Sequence, residues 1–229
     1  MRKILLAFLV ILIASSAFGA GVYTIDEDEI LYLDGVEVDQ KKIHGIGETI
    51  WEWVNTDEGI LIFNPEYFDD TAIYVQLREN EECLDVALTF HDEGFVLVLS
   101  SNNIAMIDTT GKIRFRTPGT GPLLKMDEYR YAFTSLKPGQ RRGRGKNAKL
   151  WSGVSVFEFF TDDKGNLTEF YVEPVCEPNA LTDYKLLRVD NYIDELIIMQ
   201  ESVTSPAEWN KAKPKIDEQE MSVEFPAAG

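Results

Sequence analysis

The chain has 229 residues, 45% of them hydrophobic and 11% aromatic, a composition that fits a globular protein with a sizeable core. Its 39 acidic residues outnumber 22 basic ones, for a net charge of −17; so negative a surface repels nucleic acid and anionic lipid over most of its area, and no nucleic-acid partner is expected. Two cysteines, neither at ligand spacing from a second cysteine or a histidine, give no reason to expect a bound metal, and no motif calls for a cofactor.

The N-terminus speaks to compartment. Arg2 and Lys3 precede an apolar run from Ile4 to Ile13, and Ala14-Ser15-Ser16-Ala17-Phe18-Gly19-Ala20 supplies small residues for a peptidase. Residues 1–19 are therefore expected to be a secretory signal peptide, cut before Ala20, and the protein to be exported, periplasmic or extracellular. No cysteine follows the apolar run, which argues against a lipid-anchored precursor. The mature chain would carry 20 basic against 39 acidic residues, a net charge of −19. No later run approaches the roughly 20 apolar residues of a spanning helix. Residues 20–229 read as a single domain.

Along that domain an Asp-Glu pair recurs ahead of apolar, β-prone runs. The pairs are Asp28-Glu29 before Ile30–Leu33, Asp57-Glu58 before Gly59–Phe63, Asp92-Glu93 before Gly94–Leu99, Asp127-Glu128 before Tyr129–Phe133, and Asp194-Glu195 before Leu196–Met199. Random order gives roughly 1.6 such pairs for this composition, so an internal repeat is the economical explanation. The middle three lie 35 residues apart. Between the first two, Trp51 and Trp53 flank Glu52; period-two alternation puts both indoles on one strand face, either as core packing or as a binding platform. Two hairpins follow, Asn102–Asp108 with Ile113–Arg116 around a glycine turn, and Val154–Phe160 with Leu167–Val172 around Asp162–Asn166. Phe157, Phe159, Phe170 and Tyr171 read as core or hairpin packing. The one helix signal is Ser205-Pro206-Ala207-Glu208, a capping box with proline at the first helical position.

Strands and turns at a period near 35 residues are the pattern of a propeller blade. The stretch from Leu84 to Pro122 resembles the repeats of the NHL and six-bladed β-propeller families. It has an apolar strand, a turn with Asp92 and Gly94, a Val-rich strand, Asn102-Asn103 before a third strand, a Gly111-Lys112 turn, and Gly119-Thr120-Gly121-Pro122 as a close. The resemblance implies a ring of blades with ligands or partners bound at one face of the central channel; the strand pattern reads as an all-β, propeller-like array of antiparallel sheets, four or five blades, the alternative being a β-sandwich or an open stack of sheets.

The most unusual local feature is Lys137 to Lys149, with six positive charges, no negative one, and several glycines. It reads as an exposed, mobile loop insertion in which Arg141, Arg142, Arg144 and Lys146 contact an anionic partner, with arginine giving bidentate contacts to carboxylate or phosphate. Envelope proteins, anionic polymers and a second copy of the chain all have the required chemistry. Cys83 and Cys176 are a disulfide candidate in an oxidising compartment, with two separate buried thiols as the alternative. Acidic clusters at Asp26–Glu29, Asp69-Asp70, Glu79–Glu82, Asp162-Asp163 and Asp217–Glu220 read as solvated turns, because none has the calcium-loop pattern. His44 and His91 have no adjacent nucleophile motif. The expected function is an exported, non-catalytic binding or assembly module of the cell envelope. Two alternatives remain: a secreted carbohydrate-active hydrolase or lyase using carboxylates, and a structural subunit of a surface layer or appendage.

Overall fold

The computed structural model describes residues 22–43, 50–88, 94–127, 129–161, 167–190 and 195–224. The expected signal peptide, His44, His91 and the Asp162–Asn166 turn lie outside them. Among the described residues every strand pair is antiparallel. β1 (Tyr23–Ile25), β2 (Leu31–Leu33) and β3 (Val36–Glu37) form sheet 1; β4 (Lys41–Lys42), β5 (Glu52–Asn55), β6 (Gly59–Phe63) and β7 (Ile73–Gln76) form sheet 2, with the four-residue helix α1 (Phe68–Thr71) between its last two strands. A seven-stranded ribbon follows in chain order: β8 (Cys83–Leu88), β9 (Gly94–Leu99), β10 (Asn103–Asp108), β11 (Ile113–Lys125), β12 (Arg130–Arg142), β13 (Lys149–Thr161) and β14 (Leu167–Cys176). The last sheet, sheet 5, consists of β15 (Thr182–Asp190), β16 (Glu195–Ser202) and β17 (Asp217–Glu224).

The ribbon folds over at β11. Up to Pro118 this strand pairs with β10, and from Gly119 it pairs with β12, so β8–β11 make sheet 3 and β11–β14 make sheet 4. Gly119 sits at the changeover because a Cβ there would lie 2.7 Å from the Phe133 ring.

Strand alternation then stacks the layers. In β6, Ile60 and Ile62 face sheet 3 while Leu61 and Phe63 face sheet 1. In β9, Phe95, Leu97 and Leu99 face sheet 2 while Val96 and Val98 face sheet 4. In β13, Phe157 and Phe159 face sheet 3 while Val154 and Val156 face sheet 5. Interior strands buried on both faces read as unbroken apolar runs, which is why β6 and β9 do. The result is a propeller-like array of five antiparallel layers with four apolar interfaces; among the described residues no cluster joins sheet 5 back to sheet 1. The stack ends on a polar face, where Arg188 approaches Asp190 at 3.9 Å and Glu220 at 3.8 Å.

The repeated Asp-Glu pair stands at the start of an interior strand in each layer: directly before β6 and β9, one residue earlier before β2 and β12, and running into β16, whose first residue is Glu195. At sheet 4 its role is visible, since the Asp127 carboxylate accepts hydrogen bonds from the Tyr129 and Arg130 amides at 2.9 and 3.0 Å. Sheet 1 uses Asp26 instead, which accepts from the amides of Asp28 and Ile30, both at 3.0 Å.

Two expectations change. The helix at Ser205 is a single 3-10 turn, Glu208–Asn210. The capping contacts do form, with the Ser205 amide donating to Glu208 Oε2 at 3.1 Å and the Thr204 hydroxyl donating to the same atom, but Lys211 is extended (φ −78°, ψ 151°) and carries the chain toward β17. The 137–149 segment is not a free loop either. Its strands continue the β12–β13 ladder, pairing Arg141 with Leu150 and Arg142 with Lys149, and Pro138–Gln140 are set aside in a bulge where the missing proline N–H costs no ladder bond.

Candidate functional site: a clamped basic hairpin and an acidic aromatic cleft

The basic segment is the outer end of the β12–β13 hairpin. Its turn, from Gly143 to Ala148, includes a 3-10 turn at Gly145–Asn147; Gly143 and Gly145 have φ of 78° and 65°, backbone that a side chain would strain. Arg141, Arg144 and Lys146 are exposed and make no ion pair among the described residues. Lys137 lies 5.9 Å over the Trp151 ring.

Arg142 differs from its neighbours. The bulge changes the register, and its side chain points inward with 3% of its surface exposed. Its guanidinium stands 3.0 Å from Asp183 of β15, donates to the Asn179 carbonyl at 2.9 Å, and lies 5.1 Å from the Trp209 ring centre. Burial alone lowers the pKa of this guanidinium, and the Asp183 charge opposes that. Asp183 also accepts from the Ser152 hydroxyl of β13, which in turn accepts from the Tyr184 amide at 2.9 Å. Trp209 Nε1 donates to the Ala180 carbonyl at 3.0 Å, so the 3-10 turn near the C-terminus closes the same assembly. Arg142 is thus a clamp between sheets 4 and 5, and the outward contacts pass to Arg141, Arg144 and Lys146.

Trp51 and Trp53 pack inward. Trp53 is 1% exposed in the sheet 2–3 interface, and Trp51 packs against the same cluster, edge-on to Phe95 at 5.2 Å. Neither forms a platform. Cys83 and Cys176 are free thiols at opposite edges of the seven-stranded ribbon, Cys83 in the sheet 2–3 core and Cys176 in the sheet 4–5 core, so they do not pair. Burial pushes the Cys83 thiol up to about 12, leaving it inert. Among the described residues no cluster of histidine, cysteine or carboxylate side chains is arranged to hold a metal ion.

Sequence reasoning missed a second surface, at the far end of the same hairpin ribbon. There Glu158 and Phe160 of β13 oppose Tyr171 and Glu169 of β14, and Glu173 follows on the same face, around a cleft of about 550 Å³. Phe160 and Tyr171 meet edge to face at 5.7 Å, and Tyr171 is 55% exposed. The Tyr171 hydroxyl donates to Glu169 at 2.9 Å, a hydrogen bond that holds its pKa above the ordinary value. Glu158 and Glu173 make no ion pair among the described residues. The visible signal was the alternation Glu169-Tyr171-Glu173 opposite Glu158-Phe160, three carboxylates and two aromatics on one face of two paired strands.

No protein-family model matches the chain, and no curated protein matches it. Among solved structures it is similar to the tricorn protease (11% identity, TM-score 0.42, 87% of this chain and 20% of that one) and to the Pan2 WD40 domain of Neurospora crassa (13% identity, TM-score 0.38, 82% of this chain and 60% of that one). The chain therefore spans less than two thirds of either structure's length.

Proposed function

We propose that this protein is an exported, non-catalytic recognition and assembly module of the cell envelope, and that the basic hairpin is its contact element. The observation that supports this reading is the division of labour among the arginines. Arg142 is buried and paired, fixing the base of the hairpin, while Arg141, Arg144 and Lys146 stand exposed, with no ion-pair partner among the described residues, on a chain that is otherwise strongly acidic. A cationic tip held by such a clamp loses little conformational freedom on binding, and its isolation within a negative surface selects anionic partners. Carboxylates of an envelope protein or of an anionic polymer have the matching chemistry.

The test is capture. Signal-free, tagged protein is incubated with detergent-treated envelope from its own source, beside the variant Arg141→Ser/Arg144→Ser/Lys146→Ser. The expected result is one stoichiometric protein or polymer that the variant loses and that salt releases. Retention of the same material by the variant overturns the reading.

A further inference from the structure

We infer that the acidic aromatic cleft of β13–β14 receives the basic hairpin of a second copy of this chain, joining molecules head to tail. This rests on the hairpin being the recognition element and names what it recognises. The two surfaces are chemical complements: Arg141, Arg144 and Lys146 on one side, Glu158, Glu169 and Glu173 around the Phe160–Tyr171 pair on the other. The exposed Tyr171 ring flanked by carboxylates suits a guanidinium, which combines bidentate hydrogen bonding with attraction to the ring.

One molecule cannot satisfy itself. Lys149, at the basic end of β13, and Glu158, at the acidic end, are nine residues apart on one extended strand, about 30 Å. The strand, stiffened by its ladders on both sides, holds the two surfaces apart, so each must be met by another molecule. Because the joined surfaces differ, each contact leaves one half open on either molecule, and association propagates except where two copies meet reciprocally, hairpin in cleft on both sides. The other prominent acidic face, on β17, is a poorer receiver. It is an exposed strand surface that includes Glu220, already near Arg188 at 3.8 Å, and no aromatic side chain occurs in Asp217–Glu224.

The experiment is sedimentation velocity on the signal-free protein over a concentration series, at about 20 mM and about 500 mM salt. The expected result is a mass that grows with concentration at low salt and stays monomeric at high salt. The hairpin variant Arg141→Ser/Arg144→Ser/Lys146→Ser and the cleft variant Glu158→Gln/Glu169→Gln/Glu173→Gln should each associate about 30-fold more weakly. Mixed in equal amounts, they should form a one-to-one dimer and nothing larger, since each keeps one working half. A second pair, Arg144→Glu mixed with Glu169→Arg, should regain association that neither shows alone. Monomeric wild type at low salt, either charge-neutralised variant associating like wild type, or a mixture that fails to dimerise overturns the inference. Failure here is separable from failure of the capture experiment. Envelope capture by the cleft variant, with no self-association of wild type, removes the second copy and leaves the hairpin reading standing; capture unaffected by the hairpin variant removes both.

Discussion

The interfaces on the two sides of sheet 4 are built from different materials. Toward sheet 3, Phe133, Phe157, Phe159 and Tyr131 pack with Val96, Val98 and Met106, joined by half-buried Phe115 and Phe170, whose rings lie 4.1 Å apart. Toward sheet 5 the apolar residues are smaller, Ala132, Val154, Val156, Leu186 and Ile198, and polar side chains are threaded among them. Arg142, Asp183 and Ser152 form one chain of contacts, and the Leu186 amide donates to Thr134 Oγ1 at 3.4 Å. The aromatic interface is non-directional and rests on area removed from water. The polar one has a preferred geometry, because its groups lose energy as soon as a partner moves. That difference places the molecule's directional control next to the hairpin that carries the exposed cations.

The comparison can be broken first at the aromatic side. Phe133→Ala removes a fully buried ring that packs across the fold of the ribbon, and the expected cost is about 3–5 kcal/mol. Urea unfolding should show a lower midpoint with one transition, since this core joins sheets 3 and 4. On the polar side, Arg142→Met leaves Asp183 without its buried partner, for a cost of about 3 kcal/mol. Hydrogen exchange should localise that loss to β15 and the Glu208–Asn210 turn, in contrast to the global effect of Phe133→Ala. The same exchange pattern in both variants would contradict the division between the interfaces.

A second buried ion pair sharpens the point through pH. Glu81, 8% exposed before β8, accepts both Arg116 guanidinium nitrogens at 2.7 and 2.9 Å, the Arg78 amide at 3.2 Å, and the Ser101 hydroxyl. Burial alone would raise its pKa, yet these hydrogen bonds and the Arg116 charge outweigh it and bring the carboxyl from 4.5 to about 2. A folded pKa below the unfolded one means the contribution is full above pH 4.5 and is lost as pH falls through about 2. Glu81→Gln should therefore cost about 2 kcal/mol at neutral pH, and the gap to wild type should narrow across that acid window. A gap that stays constant with pH would remove the charge from the explanation.

How much of this was legible in the sequence follows from the same physics. β6 and β9 were readable because strands buried on both faces become uninterrupted apolar runs, and the turn at Asp127 because its short acidic side chain ties down the amides just ahead of β12. Gly119–Pro122 was read as the close of a repeat unit; that a single strand, β11, runs on through it from sheet 3 into sheet 4 was not. Arg142 was not readable. It sits in a row of cations, and only the Pro138–Gln140 bulge, together with partners about 40 to 70 residues away in sequence, decides that it turns inward while Arg141 turns out. The cleft escaped for a related reason. Val154, Val156, Glu158 and Phe160 share one face of β13, and where sheet 5 stops covering that face is set by tertiary packing. The apolar end became core and the mixed end became a surface.

The smallest expected effect completes the contrast between neighbours in sequence. Arg141, Arg144 and Lys146 are exposed and have no ion-pair partner among the described residues, so their joint change to serine should alter the unfolding free energy by no more than about 0.5 kcal/mol, measured at moderate salt. At low salt, self-repulsion sets the sign. The tip cations sit on a protein with a net charge of −17, and removing three positive charges raises its self-repulsion. The variant should then lose slightly more stability at low ionic strength than at high, with the difference vanishing once the Debye length falls to a few ångströms. Arg142→Met should show no comparable salt dependence, because its ion pair is buried and poorly screened. Two adjacent arginines, 141 and 142, would thereby separate into a residue whose charge acts only through solvent and a residue that holds the fold.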